Sequence, residues 1–255
     1  NILTKGETEL NKFDIQFDLI VICTPLSSYK NIFNSLAEFV LQPTLVTDVG
    51  STKMSTIKDF TNVVNNKYMT FIPSHPIAGL EKTGPEHGFS KLFNGRYCIL
   101  TPYEKNEDAL KSISEMWQSI GMLTEIMEPD RHDRVLAMTS HIPQLIAYSI
   151  VATATELETH LKDEIIKYSA AGFRDFTRLA GSDPIMWRDV YSKNKDAVLE
   201  MLGRFTEDLS TLQKAIRNDD LSFLSLIVNR SFFLTFEVFL AIYFTFMSVL
   251  FLRLS

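Results

Sequence analysis

The chain has 255 residues, of which 45% are hydrophobic and 22% are charged, a composition typical of a globular protein. Its formal net charge of −6 argues against a nucleic-acid-binding protein, because such proteins usually carry a basic face. The length suits one large domain or two small ones. The two cysteines, Cys23 and Cys98, lie in separate apolar runs. This placement favours buried free thiols in a reducing, cytoplasmic compartment rather than a metal site.

The first hundred residues alternate between strand-like and helix-like patterns. Apolar and β-branched runs predict strands at residues 17–24, 44–49, 68–72 and 97–100. Helical spacing of apolar residues predicts helices at residues 29–41 and 53–66. Such alternation is typical of a Rossmann-like, doubly wound parallel sheet.

Helical patterns replace this alternation after Pro102. Residues 108–120 predict an amphipathic helix that ends at Gly121, and residues 123–127 predict one last strand. The strand-forming part of the chain is therefore expected to end just before Glu128.

Two long helices are predicted beyond that point, each opened by a proline in its first turn. The first runs from Pro129 to about Leu157, and the second runs from Pro184 to about Ile216. Apolar residues occupy most of the circumference of the first helix. A helix of this kind is buried on several sides, as in a bundle or a dimer core.

The patterns together predict three segments. Residues 1–128 form a partial dinucleotide-binding domain, residues 129–220 form an all-α substrate and dimerisation domain, and residues 221–255 form an atypical apolar tail. Within the tail, residues 232–252 carry one charge, that of Glu237, and are long enough to span a bilayer as a helix. A decayed or artefactual ending is favoured over a membrane anchor, because one terminal span has no role in the chemistry inferred below.

The beginning of the chain lacks the usual start of a dinucleotide-binding fold. No G-x-G-x-x-G motif occurs in the sequence, although this motif normally joins the first strand of that fold to its first helix. The chain also begins with Asn1 rather than methionine and has no apolar leader. We therefore expect it to start inside a longer protein whose upstream part holds the pyrophosphate and selects NAD or NADP.

The loops that follow the predicted strands are expected to meet at one edge of the sheet, where open α/β sheets bind ligands. His75 is the leading candidate there, because a histidine can take a proton from a hydroxyl as a hydride leaves the same carbon. The alternative is a structural histidine in a turn. Ser51 follows another strand, where its hydroxyl orients substrate or cofactor or only caps the next helix.

The helical half supplies further candidates, each with a structural alternative. Arg178 can clamp a carboxylate through two hydrogen bonds, or it can pair with Asp175 or Asp183 on the surface. His141 and Gln144 lie three residues apart on one helix face, where they satisfy core groups or face a ligand.

Four motifs carry a family resemblance. The runs DVGSTK, SHPIAGLEKTGPEHGFSKLFNGRYCILTP, MTSHIPQLIAYSIV and GFRDFTRLAGSDPIMWRDV, between about residues 18 and 218, resemble the prephenate/arogenate (cyclohexadienyl) dehydrogenases of tyrosine biosynthesis. The resemblance implies oxidation of the substrate's ring 4-hydroxyl with NAD or NADP and loss of the ring carboxylate as carbon dioxide. It also implies a homodimer formed through the helical domain.

The resemblance further assigns roles to matching residues. His75 accepts the proton of the 4-hydroxyl, Ser51 helps to hold that hydroxyl and the nicotinamide, and Arg178 binds a substrate carboxylate. Contacts to other parts of the substrate are expected from Glu81, His141, Gln144 and Trp187. Contacts to the cofactor are expected from Thr24, Pro25, Asp48, Gly50 and Ser51. Titration of His75 predicts an acid limb of activity within about one unit of pH 6.5.

One departure from the family pattern bears on the substrate. Gln144 stands where several family members have a histidine, which leaves the choice between prephenate and arogenate open. Two other functions also remain open: a non-catalytic, decayed copy of a dehydrogenase and a membrane-anchored variant.

Overall fold

The computed structural model describes residues 6–13, 15–79, 84–156, 164 and 167–251. The chain divides into two compact units, Asn1–Met201 and Leu202–Ser255. All the candidate site residues belong to the first unit.

A parallel sheet forms the first layer, in the order β1-β2-β3. Its strands are β1 (Leu19–Ile22), β2 (Thr44–Asp48) and β3 (Met69–Phe71), joined by helices α1 (Tyr29–Phe39) and α2 (Met54–Val63). Edge-to-face packing of Phe33 against Phe60 and Phe71 holds both helices on the sheet, with ring centroids 5.2 Å apart in each pair. The predicted Rossmann-like alternation is confirmed.

Burial along β1 is lower than the sequence predicts. This strand lies at the edge of the sheet within the described residues, so Val21 remains 39% exposed. Cys23, which follows the strand, is also exposed, whereas Cys98 is buried as predicted. The prediction of a buried thiol at residue 23 is therefore wrong.

A second three-stranded sheet contains β4 (Ser74–Pro76), β5 (Tyr97–Leu100) and β6 (Leu123–Ile126). Strand β5 pairs in parallel with β6, as expected, but β4 runs antiparallel to β5. The sequence predicts a loop at β4, because a three-residue strand that ends in proline has too few residues to show an alternating pattern. Helix α3 (Glu107–Ser119) packs on this sheet through Ile113 and Trp117.

The predicted helix from Pro129 is interrupted by a π-helical turn. It consists of α4 (Pro129–Leu136), the π turn Ala137–His141 and α5 (Ile142–Thr155), while the predicted end near residue 157 lies outside the described residues. A π turn inserts an extra residue and shifts the side chains that follow it to a new face, which is frequent at functional sites. Met138 on this turn is 53% exposed, so the predicted burial on several sides is incomplete within one chain.

The remaining α-helices among the described residues are α6 (Ala171–Ala180), α7 (Pro184–Lys193), α8 (Lys195–Arg217) and α9 (Leu221–Phe251). The prediction of a single helix from Pro184 to Ile216 is wrong. Helix α7 ends at Lys193 and α8 begins at Lys195, so the helix is interrupted at Asn194. The side chain of Asn194 is buried and hydrogen-bonded to two groups of the α4–α5 region, described below.

One described helix is long and apolar enough to cross a membrane by length and composition, namely Pro129–Thr155. Core helices of globular proteins meet the same criterion. The predicted tail is helical within α9, and Leu221, Leu226 and Phe232 on it expose more than half of their surface.

Candidate active site

Asp48 organises the loop that follows β2 from inside the protein. Its carboxylate is fully buried and accepts hydrogen bonds from the Gly50 N–H at 2.9 Å, the Ser74 N–H at 3.0 Å and the Lys53 ammonium at 2.7 Å. Gly50 fits tightly in this loop, since an added Cβ would lie 2.7 Å from the Leu26 side chain. Asp48 therefore holds Gly50 and β4 in place and presents no oxygen to solvent.

His75 on β4 is hydrogen-bonded to a second histidine. Its Nδ1 lies 2.9 Å from Nε2 of His132 on α4, and His132 Nδ1 lies 2.8 Å from Oδ1 of Asp133. All three side chains are buried, with His75 9% exposed. These three residues, His75, His132 and Asp133, form a hydrogen-bonded row that runs from the wall of a cleft, where His75 lies, into the interior.

Asp133 also caps helix α2. Its Oδ1 accepts a hydrogen bond from the Lys53 N–H at 2.8 Å, and its Oδ2 accepts one from the Met54 N–H at 2.9 Å. These contacts satisfy two of the free N–H groups at the helix start, and the helix dipole favours a negative charge there. Ser51 is half-buried and does not lie at the cap, so the sequence-based alternative of capping by Ser51 is wrong.

Both histidines of the row are held neutral at physiological pH. Burial lowers the pKa of His75 well below its usual value, and the nearby His132 and Lys53 act in the same direction. Burial also lowers the pKa of His132, although the hydrogen bond to Asp133 opposes this effect. The acid limb expected near pH 6.5 from sequence is therefore placed too high, because the sequence does not show the burial of His75.

A cleft of about 670 Å³ opens beside His75. Its polar lining includes Lys91 and Arg96 from the segment before β5, and Thr139 and Ser140 from the π turn. Volumes of this size are typical of small-molecule sites. The cleft therefore combines a neutral histidine with two cationic side chains, a suitable set for binding a carboxylate beside a proton acceptor.

A second cluster of buried polar side chains includes His141 and Asn194. Asn194 Nδ2 donates hydrogen bonds to the backbone oxygen of Asp133 at 2.8 Å and to His141 Nδ1 at 3.1 Å. The ring of Trp187 packs edge-on against His141, with centroids 6.0 Å apart. Burial lowers the pKa of His141 to about 4. Asn194 thus connects the histidine row to the neighbourhood of Trp187.

The other predicted substrate residues occupy different positions. Gln144 is buried and donates a hydrogen bond to the Leu179 carbonyl at 2.7 Å, which favours the core-satisfying alternative. Arg178 is 55% exposed and lies 3.7 Å from Asp175, the surface pair that the sequence also allows. Neither residue lines the cleft beside His75, and Glu81 lies outside the described residues.

A larger groove of about 930 Å³ runs along β1 and α1. Thr24, at the carboxyl end of β1, lines it and accepts a hydrogen bond from the Ser28 hydroxyl at 2.9 Å. Asp189 of α7 accepts a hydrogen bond from the Ser27 N–H at 3.2 Å, which connects this loop to α7. Pro25 in the same loop is exposed.

Sequence reasoning missed four residues of the site: Lys91, Arg96, His132 and Asp133. His132 and Asp133 follow Pro129 at a helix start, where polar residues usually face solvent. Lys91 and Arg96 lie in a loop, where isolated cations are common. The HD pair gives no distinct signal in the sequence, because Asp130, Arg131 and Arg134 beside it are also charged.

Comparison with known proteins gives two matching family models. Residues 4–125 match the nucleotide-binding domain of prephenate dehydrogenase, and residues 128–229 match its dimerisation domain. A cyclohexadienyl dehydrogenase from Zymomonas mobilis is 36% identical over 204 residues, covering 80% of this chain and 69% of the relative. A prephenate dehydrogenase from Bacillus subtilis is 30% identical over 203 residues, covering 79% of this chain and 54% of the relative.

A solved structure is similar along most of the chain. The prephenate dehydrogenase from Aquifex aeolicus, in complex with hydroxyphenyl propionate and NAD+, aligns with a TM-score of 0.80 and 33% identity. The alignment covers 88% of this chain and 78% of that one. The match extends over both the sheet and the helical segment.

Proposed function

Because this chain belongs to the prephenate dehydrogenase family, we propose that it acts in tyrosine biosynthesis by oxidising prephenate or arogenate. The ring 4-hydroxyl is oxidised with NAD or NADP, and the ring carboxylate leaves as carbon dioxide. The observation that carries the proposal is the cleft that places neutral His75 beside Lys91 and Arg96. A proton acceptor next to cations suits a substrate that is both a carboxylate and an alcohol.

We assign the end of the groove along β1 at Thr24 to the nicotinamide end of the cofactor. It reaches Thr24 at the carboxyl end of a parallel strand, the position at which α/β sheets bind such ligands. Of the residues that the family resemblance assigns to the cofactor, Thr24 lines this groove. Pro25, Gly50 and Ser51 keep that assignment, and Asp48 supports it by holding Gly50. When bound, the nicotinamide supplies the hydride acceptor. The sequence contains no G-x-G-x-x-G motif, so we assign no residue of this chain to the pyrophosphate.

His75 takes and returns one proton in the proposed reaction. Its Nε2 accepts the hydroxyl proton as the hydride leaves the same carbon, and a ketone forms at that carbon. The electron pair of the bond to the ring carboxylate then moves into the ring, and carbon dioxide leaves. The resulting phenolate takes the proton back from His75. The reaction balances with one hydride transferred, one carbon dioxide lost and no net proton released.

Cationic side chains bind the substrate carboxylates in this proposal. Arg96 and Lys91 line the cleft beside His75 and are placed to hold one carboxylate. Arg178 remains the residue assigned by family resemblance, and its pair with Asp175 at 3.7 Å would open when it binds substrate. His141, Gln144, Trp187 and Glu81 keep their assignment to other parts of the substrate.

We further propose a cytoplasmic homodimer formed through the helical domain, residues 129–220, with residues 1–128 as the partial dinucleotide-binding domain. The match to a dimerisation domain supports this arrangement. Exposed apolar side chains such as Met138 and Val135, which are 53% and 38% exposed, would be covered by a second copy. Light scattering on the purified chain tests the dimer, and a monomer at micromolar concentration would contradict it.

The test of function uses two forms of the protein. Titration calorimetry of the chain itself with hydroxyphenyl propionate, the ligand of the Aquifex structure, tests the substrate cleft without a dinucleotide. The chain joined to a glycine-rich dinucleotide segment is then assayed for reduction of NAD+ or NADP+ with prephenate and with arogenate. His75→Asn should lower kcat about 10²- to 10⁴-fold with little change in KM, since asparagine binds the hydroxyl but accepts no proton. Activity of that variant near the parental level would contradict the assignment.

A further inference from the structure

The hydrogen-bonded row behind His75 has a defined direction. Asp133 Oδ1 receives the Lys53 N–H at 2.8 Å, and Oδ2 receives the Met54 N–H at 2.9 Å. Backbone N–H groups only donate, so the carboxyl group acts as the acceptor in both contacts. The positive end of helix α2 stabilises the ionised carboxylate there. An ionised carboxylate only accepts hydrogen bonds.

The protons on both histidines follow from that direction. His132 Nδ1 lies 2.8 Å from Asp133 Oδ1 and must donate to it. A neutral imidazole carries one N–H, so Nε2 of His132 holds a lone pair. His75 Nδ1 lies 2.9 Å from this lone pair and must therefore carry the proton. The lone pair of His75 is left on Nε2.

We propose that His132 and Asp133 are positioning residues that fix His75 in the tautomer with its proton on Nδ1 and its lone pair on Nε2. This inference rests on the proposed function, in which Nε2 accepts the substrate hydroxyl proton. Burial supports it, since the side chain of His132 is inaccessible to bulk solvent. The low pKa values of both histidines agree with neutral rings.

Contacts on both sides hold the two ends of the row, Asp133 and His75, in position. Asn194 Nδ2 donates to the backbone oxygen of Asp133 at 2.8 Å, which anchors α4 to the break between α7 and α8. His75 is held on its other side by strand pairing with Ile99 of β5. The contacts that position the row therefore come from strand β5, helix α2 and Asn194. These elements lie far apart in the sequence.

The kinetic test compares two variants at residue 132 in the chain joined to a glycine-rich dinucleotide segment. His132→Phe fills the space but offers no acceptor, so His75 loses its fixed tautomer. We expect kcat to fall at least about tenfold and KM to change less than about threefold, a partial loss of general-base catalysis. His132→Gln keeps a carbonyl acceptor for His75 Nδ1 and should restore most of kcat. Equal activity of both variants and the parent would overturn the proposal.

A spectroscopic test on the chain itself is independent of activity. The proton–nitrogen correlation spectrum of the chain with ¹⁵N-labelled histidine rings, with His75 assigned through His75→Gln, reports which ring nitrogen carries the proton. We expect Nδ1–H in the parent and in His132→Gln, and a mixture or Nε2–H in His132→Phe. Detection of Nε2–H in the parent would overturn the inference even if the protein is active. An Nδ1–H tautomer in an inactive protein would reject the proposed function and leave the inference standing.

Discussion

The ammonium group of Lys53 lies 2.7 Å from Oδ2 of Asp48, and neither side chain is accessible to solvent. The same ammonium donates to the Ser74 carbonyl at 2.6 Å, so it joins the end of β2 to β4. Burial lowers the pKa of Lys53, although its attraction to Asp48 opposes this effect. This pair fixes the position of β4 and therefore of His75, one residue beyond Ser74.

Replacing Lys53 with methionine should destabilise the fold strongly. Methionine fills most of the volume but leaves Asp48 as a buried charge without its cation, which costs about 3–5 kcal/mol. Urea denaturation followed by circular dichroism measures the loss. Lys58→Met on the exposed side of α2 is the matched control and should change the free energy of unfolding by less than about 0.5 kcal/mol. Equal stability of the two variants would show that the pair contributes nothing.

Stability should fall as the pH drops below about 6.5, the usual pKa of histidine. The folded pKa of His141 is lowered to about 4, and those of His75 and His132 are also lowered, because burial disfavours their charged forms. The unfolded chain therefore binds more protons than the folded chain below pH 6.5, down to about pH 4 for His141. In that window His141 alone removes up to about 1.4 kcal/mol of stability per pH unit, His75 and His132 act in the same direction, and none of the three acts above it.

Denaturation in urea at pH 7.5, 6.0 and 5.0 measures this slope. His141→Gln should reduce it, because this variant removes one of the three buried histidines. A slope in His141→Gln equal to that of the parent would contradict the lowered pKa of His141.

Local sequence was sufficient to predict a helix or strand where the pattern of apolar residues lies within that element. The β-branched run at β2 and the apolar spacing of Phe33 and Leu36 on α1 predict a strand and a helix without further information. The break at Asn194 could not be predicted in this way. The surrounding residues favour a continuous helix, and the break depends on contacts with Asp133 and His141, which lie more than fifty positions earlier in the sequence.

The residues of the candidate site also divide into those that local sequence predicts and those that depend on distant contacts. His75 was predicted because it follows a strand, and strand ends define the ligand-binding edge of an α/β sheet. His132 was missed because it lies at a helix start where its burial is visible only once α4 has packed on α2. Lys91 and Arg96 were missed because nothing in their loop predicts that it lines the same cleft as His75.

Arg96→Gln should raise KM for prephenate or arogenate about ten- to a hundredfold and change kcat less. Loss of a charged contact to a carboxylate costs about 1.5–3 kcal/mol of binding. Arg178→Gln is expected to act in the same way, as the family resemblance implies. Steady-state kinetics on the chain joined to a glycine-rich dinucleotide segment measure both effects. Arg134→Gln, which removes an exposed partner of Asp130 at 3.3 Å, is the control and should leave KM unchanged.

The 255-residue chain by itself should bind NAD and NADP weakly, with a dissociation constant above about 10 μM. It contains no glycine-rich loop whose N–H groups and helix N-terminus would hold the pyrophosphate. Titration calorimetry with each dinucleotide measures this, and the chain joined to a glycine-rich segment is the positive control. Binding tighter than that limit would show that the chain holds the dinucleotide without the motif.

Ending the chain after Asp220 should raise its soluble yield. Helix α9 exposes Leu221, Val228 and Phe232, which are 74%, 67% and 69% accessible, and a large exposed apolar surface favours aggregation. The comparison is the soluble fraction of the shortened and complete chains expressed in parallel, with the unfolding midpoint of each. A Leu221→Glu, Val228→Glu, Phe232→Glu triple variant of the complete chain is the matched control and should gain solubility for the same reason. Truncation that lowers the unfolding midpoint would instead show that α9 packs in the native core, and the tail would then be part of the fold.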